Sequence, residues 1–247
     1  MENYFLKNRK INLVLLLIST TTLSLAQTED KIYLLGQFNP QRDKRFVKLK
    51  DEHTAGSARG GVLRKETYEA FIQMAAAAKK DCVSLKIISA TRNFDSQKRI
   101  WENKWTGKTI VEGKNLTTIL DEQERAKIIL HYSSMPGSSR HHWGTDFDLN
   151  NLENAYFENG QGLKIYLWLK TYAAQFGFCQ PYTSKTNGTR TGYEEEKWHW
   201  SYLPLSSKFL AQYKKEITDK DYTDFKGSKS AKRVHIIENY VMGVACE

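Results

Sequence analysis

The sequence has only three cysteines in 247 residues, no internal repeat and no apolar run long enough to cross a bilayer. The apolar stretch Ile11 to Ile18 falls short of the roughly 20 residues a spanning helix needs, and Thr and Ser follow it at once. Lys7, Arg9 and Lys10 precede it, and small residues follow at Ser24 and Ala26. That is the layout of a secretory signal peptide over residues 1–26, cleaved after Ala26. Gln27, not a cysteine, stands directly after that point, which argues against a lipoprotein anchor. The expectation is an exported chain, periplasmic or secreted, with no stable membrane anchor. Outside the cytosol, Cys82, Cys179 and Cys246 allow one disulfide and leave one thiol over. Cys82 and Cys179 are expected as buried small hydrophobes or as the pair, and Cys246 as a free tail residue. None of the three has metal-ligand spacing to another.

Removing Lys7, Arg9, Lys10 and Glu2 with the leader takes the formal charge from +9 to +7 over residues 27–247. A basic balance is one mark of nucleic-acid binding. Export argues against that partner and favours an anionic wall polymer or an acidic peptide, although a merely soluble charged surface explains the charge equally well. The remaining length suits one compact domain with extensions and buries a core without staples. Oligomeric state is not legible.

Residues 27–60 read as an N-terminal arm held by Phe38, Phe46, Val47 and Leu49, with a flexible entry at Gly56–Gly61. Tyr68, Phe71, Ile72, Ala75 and Ala76 recur at helical spacing over 65–80. Val83–Ser89 is β-branched and partly alternating, a strand. Helices follow over 96–105 and 121–132, the second with Asp121 near its cap. Strands are expected at 145–149, 178–182 and 197–202, with helices at 163–176 and 206–217. Residues 61–217 thus form the domain and 218–247 a basic C-terminal extension, with Gly227–Ser230 mobile and 234–245 returning as a small strand or helix. The fold class is α+β, a small, largely antiparallel sheet flanked by helices.

The chemistry concentrates in Ser139-Arg140-His141-His142-Trp143-Gly144-Thr145-Asp146-Phe147-Asp148 and in Glu196-Lys197-Trp198-His199. Two imidazoles, one carboxylate and a position left to water suit a catalytic zinc site. Gly144 permits a turn that aims a loop histidine at a strand carboxylate. Asp146 and Asp148 share one side of their strand, so either could bind metal, and His142 competes with His141. Composition leaves those choices open.

The pattern Ser-x-His-x-x-Gly-x-x-x-Asp, followed by Glu-x-x-His, resembles the VanY-type D-alanyl-D-alanine carboxypeptidases and the related LD-carboxypeptidases, zinc peptidases with a Hedgehog-like fold. Ile88-Ser89-Ala90-Thr91-Arg92 and Gln97 match a further family element, and the three motifs stand in family order between Lys65 and Leu205. The resemblance implies His141, Asp148 and His199 as Zn²⁺ ligands and Glu196 as general base, later the acid toward the leaving amine. It implies Arg92 as the group that holds the developing oxyanion, and Ser139 and Gln97 as substrate-binding residues. Asp146 stands where the family usually has a small residue, often Ala, and Lys197 stands where it has Pro. The implied activity is removal of a terminal D-alanine from peptidoglycan stem peptides. The alternatives are an endopeptidase cutting cross-links and a zinc-containing wall-binding module without turnover. The second of these should lack the base or the arginine, and both are present. His53, His131, His142 and His235 are read as satisfied polar residues, and Glu194 and Glu195 as solvated charge. Trp143, Trp198 and Trp200 are read as core, with one of them available to line the cleft.

Overall fold

The computed structural model describes residues 29–186, 188 and 190–246; the expected signal peptide over 1–26 lies outside the described residues. The arm is well packed from Glu29 onward. Asp30 caps the short helix α1 (Lys31–Leu34) by accepting from the Tyr33 N–H at 2.7 Å. Strand β1 (Phe46–Lys48) pairs antiparallel with β2 (Val62–Arg64). Glu29 takes the guanidinium of Arg64 at 2.9 Å and that of Arg45 beside it, tying the start of the arm to the sheet pair.

Helix α2 (Lys65–Lys80) buries Tyr68, Phe71, Met74 and Ala78, the stripe its periodicity predicts. Strand β3 (Ile87–Ser89) is shorter than expected, although Val83 and Leu85 still bury their side chains before it. Helix α3 (Phe94–Trp105) starts two residues early, because the Asn93 side chain accepts from the Ser96 N–H and caps it there. Asp121 caps α4 (Glu122–Ile129) through the Gln123 and Glu124 N–H groups. Strand β4 (Asp146–Leu149) leads to α5 (Gly160–Tyr172), which runs on as a 3-10 turn until left-handed Gly177 stops it. Strands β5 (Phe178–Cys179) and β6 (His199–Tyr202) precede α6 (Leu203–Glu216).

The main sheet has the order β3-β4-β6-β5 and every pairing in it is antiparallel. In the β4–β6 register, Asp146 faces Ser201, Phe147 faces Trp200 and Asp148 faces His199. Alternation sends Phe147 and Trp200 into one core, with Phe71, Phe178 and Leu169 of the flanking elements. The polar residues therefore share the opposite face. A second core, with Trp101, Trp105, Trp143, Phe209 and Tyr213, lies toward α3, α4 and α6.

Two expectations for the C-terminal segment fail. Gly227–Ser230 is anchored rather than loose: the Trp101 indole N–H donates to the Lys226 carbonyl at 2.8 Å, and Ser230 is buried. The cysteine pairing is also different. Cys246 is bonded to Cys179, and Cys82 is exposed and free. The physical reason lies in topology. Cys179 is on the sheet's edge strand, where the returning tail passes, and the Ala245 N–H donates to the Pro181 carbonyl at 2.8 Å. The expected return of 234–245 as a small strand or helix takes the helical form: a π-helical stretch, Ile236–Val241, follows a short α7 (Ser230–Arg233).

Candidate metal centre

His141 sits on a 3-10 turn, Arg140–Trp143, which ends at left-handed Gly144. A side chain at 144 would collide with the Phe46 ring and the Arg64 backbone, so the turn into β4 needs glycine there. His141 Nδ1 lies 3.0 Å from the Ala90 carbonyl oxygen, the contact of a donated N–H. That fixes the tautomer and leaves Nε2 a bare acceptor. Nε2 lies 3.4 Å from Asp148 Oδ1, and both atoms are buried with no hydrogen-bond partner.

His199 enters from β6 opposite Asp148, with its Nδ1 3.2 Å from Asp148 Oδ1 and 3.3 Å from Glu196 Oε2. The other ring nitrogen, Nε2, contacts Asp146 Oδ2 at 3.0 Å. Asp146 also accepts from Arg140 Nε at 2.9 Å, Ser201 Oγ at 2.9 Å and Thr145 Oγ1 at 2.7 Å. The ambiguity between the two aspartates thus resolves by geometry. Asp148 faces the imidazoles with a bare oxygen, while Asp146 is saturated behind His199. His142 turns away: its Nδ1 meets the Arg92 carbonyl at 2.6 Å and its Nε2 accepts from the Gly137 N–H at 3.1 Å.

One ligand atom from each of His141, Asp148 and His199 fits within a 4.8 Å span, and all three residues are buried. Orphaned buried polar atoms cost free energy unless something satisfies them. The electrostatics ask for the same thing. Three buried carboxylates, Asp146, Asp148 and Glu196, crowd His199. Burial opposes a charge on His199, but its hydrogen bonds to these acids outweigh that and hold its pKa well above the ordinary value. A divalent cation would balance the acids better than that proton does. Burial and nearby Arg92 keep His141 neutral, as a ligand must be. Two nitrogens and one carboxylate oxygen are the donor set of a catalytic zinc site, so the residues present fit zinc.

The centre opens into a cavity of about 650 Å³. Arg92 and Ser139 line it, and Ser139 Oγ has no partner. Glu196 lines it too, and burial raises its pKa. Its N–H donates to the Tyr182 carbonyl at 2.9 Å, and the Tyr182 ring packs on His199 with centroids 4.7 Å apart. Trp198 is the tryptophan that reaches the cavity wall; Trp143 and Trp200 are core. Gln97 departs from expectation. It is not among the cavity-lining residues, and its amide N–H donates to the Ser134 carbonyl at 2.7 Å, one layer behind the wall. Its amide nitrogen holds that loop, while its buried Oε1 has no partner. The sequence reasoning missed Tyr182, Ser133 and Lys104, all of which line the cavity. Lys104 gives no signal in sequence, being one cation on a polar helix.

The VanY family model, D-alanyl-D-alanine carboxypeptidase, matches residues 61–205. A relative named putative carboxypeptidase YodJ, from Bacillus subtilis (strain 168), is 29% identical over 164 residues, which cover 65% of this chain and 51% of that protein. The chain thus spans about half the length of that relative. An uncharacterized protein from Haemophilus influenzae is 31% identical over 94 residues, covering 32% of this chain and 69% of the other. The solved structure of LdcB, an LD-carboxypeptidase described in terms of peptidoglycan recognition, shares the fold: TM-score 0.52, 22% identity and 81% of each chain covered. The family match takes in more than half of the sequence and every residue of the triad, and on that ground the chain belongs to the VanY family of D-alanyl-D-alanine carboxypeptidases.

Proposed function

We propose that the protein is a zinc carboxypeptidase that removes a terminal D-alanine from peptidoglycan stem peptides outside the cytoplasm. The observation that carries this reading is the pair of buried, unpartnered atoms, His141 Nε2 and Asp148 Oδ1, converging with His199 Nδ1 beside Glu196 at the floor of one cavity. His141, Asp148 and His199 would hold Zn²⁺. When bound, the ion supplies Lewis acidity, bringing the pKa of a water down toward ~7 and polarising a carbonyl.

The chain's own residues supply the rest. Glu196, desolvated and raised above the usual carboxylate range, takes a proton from the attacking water and returns it to the leaving amine. Arg92 meets the negative charge that develops on the scissile carbonyl oxygen. Its backbone is pinned on both sides: its N–H donates to the His141 carbonyl at 3.2 Å, and its own carbonyl takes His142 Nδ1. Ser139, with its free hydroxyl, supports substrate at the same wall. The formal charge of +7 after loss of residues 1–26 suits an anionic wall. The test is incubation with muropeptides ending in D-Ala-D-Ala or in a single D-Ala, with Zn²⁺ or with a chelator, and mass spectrometry of the products. Loss of one terminal residue that depends on zinc supports the proposal. An internal cut or no product refutes it.

A further inference from the structure

Among the described residues, one cation that lines the cavity has no ion-pair partner. Lys104, in the last turn of α3, lines the same cavity as Arg92 and the metal triad. Its ammonium donates to the Ser133 hydroxyl, and Ser133 and Ser134 form the adjoining wall. Among the described residues no carboxylate forms an ion pair with Lys104. Glu112, one of the acids that line the cavity, is engaged by His131 Nδ1 at 2.7 Å. Glu196 faces His199 at 3.3 Å. Burial and then Arg92 push the Lys104 pKa down, and the smaller opposing effects of Glu196 and Glu112 do not offset them. Two cations lining one small cavity repel each other, and burying an unpaired ammonium costs free energy that a ligand anion recovers.

Gln97, expected as a substrate-binding residue, has a buried Oε1 with no partner and donates its amide N–H to the Ser134 carbonyl at 2.7 Å. That bond fixes the loop that presents Ser133 to Lys104. Arg92 adjoins the triad: its N–H donates to the His141 carbonyl at 3.2 Å. In the carboxypeptidase reading proposed above, a peptide whose scissile carbonyl reaches Arg92 places one residue beyond the cut. The end of that residue is a carboxylate.

We propose that Lys104, with Ser133, is the subsite that takes the terminal carboxylate of the substrate and so selects peptide ends over internal bonds. This rests on the peptidase reading above and deepens it. An amide or a continuing chain at that position leaves the ammonium unpaired. A charge-assisted hydrogen bond of this kind changes affinity by about tenfold to 100-fold.

The test uses zinc-loaded full-length protein carrying Glu196→Ala, so that binding is read without turnover. An N-acetylated peptide ending in D-Ala-D-Ala and its C-terminal amide are titrated by calorimetry into proteins with Lys104, Lys104→Gln and Lys104→Arg. The expected result is a preference for the free acid of about tenfold or more with Lys104. That preference should fall to about twofold or less in Lys104→Gln and return in part with Lys104→Arg, which also serves as the folding control. An unchanged preference in Lys104→Gln, or no binding of the acid by the Lys104 protein, overturns the inference. Turnover of the same acid by protein with Glu196 intact is scored separately. Its absence counts against the peptidase reading, while the acid-to-amide ratio still reports on Lys104.

Discussion

Asp146 is the side chain whose removal separates what holds the metal from what holds the fold. It is fully buried and accepts from Arg140, Thr145 and Ser201 while fixing His199 Nε2. Asp146→Ala strands the Arg140 guanidinium, which is 1% exposed. Breaking a buried ion pair by deleting one partner costs about 3–5 kcal/mol. For a domain of this size each kcal/mol is worth about 2–4 °C, so the melting temperature should fall by about 6–20 °C. The same change frees the His199 ring, and loss of such an outer hydrogen bond weakens metal binding by about 10–100-fold. The double variant Arg140→Met/Asp146→Ala removes both charges and should melt within a few degrees of the wild type, about as a well-packed apolar replacement does. Its zinc affinity should stay low, because His199 is still unsupported. Thermal denaturation of metal-free protein and zinc competition against a fluorescent chelator read the two effects apart. Zinc affinity within about twofold of wild type in Asp146→Ala would refute the positioning role. A double variant that melts as low as the single one would refute the buried-pair account.

Three further outcomes are expected. Glu196→Gln should lose about 100-fold to 10,000-fold in turnover with zinc content unchanged by metal analysis, and near-wild-type hydrolysis would remove Glu196 from the mechanism. Cys246→Ser opens a crosslink spanning 67 residues and should cost about 2–5 kcal/mol by denaturant melts; equal stability with and without the bond would show the tail already held by its other contacts. His142 should make the metal-free protein acid-sensitive. Burial lowers its pKa to about 3, so the folded state refuses a proton that the unfolded chain accepts near 6.5. Its stabilising effect is full above 6.5 and is lost as pH falls toward 3, at up to about 1.4 kcal/mol per pH unit. His142→Asn should flatten the stability curve between pH 6.5 and 4.5; an unchanged slope contradicts the assignment.

Local rules made a cluster of metal-binding side chains legible in the segments 139–148 and 196–199, while the choice among its candidate ligands came from the family resemblance. Alternation on β4 puts Asp146 and Asp148 on one face, and the antiparallel register brings His199 onto that face from β6. What spacing could not do was choose between the two aspartates, since both satisfy the alternation. The choice is made by Arg140 and Ser201, which saturate one of them. The first is six residues away on a turn and the second lies on another strand. The same distance from local rules hid the rest. The Cys179–Cys246 bond depends on where a thirty-residue tail returns, and Lys104 reaches the cavity only because α3 packs its last turn against the Ser133 loop.

The resemblance implies a small residue at position 146, and the structure gives the aspartate found there a physical account. A buried carboxylate at this position would be costly alone. Here it comes with Arg140 Nε at 2.9 Å and the Ser201 hydroxyl at 2.9 Å, so the charge is matched on the spot. The pair then has a use that a small residue lacks. With Asp146 held below the usual carboxylate range by Arg140 and His199 against the opposing effect of burial, its charge persists across the whole physiological range. His199 is thereby kept with Nε2 protonated and Nδ1 toward the centre. The aspartate at 146 thereby fixes the tautomer of one of the proposed ligands. It does so only while Arg140 is present, so the two positions are coupled and should be changed together.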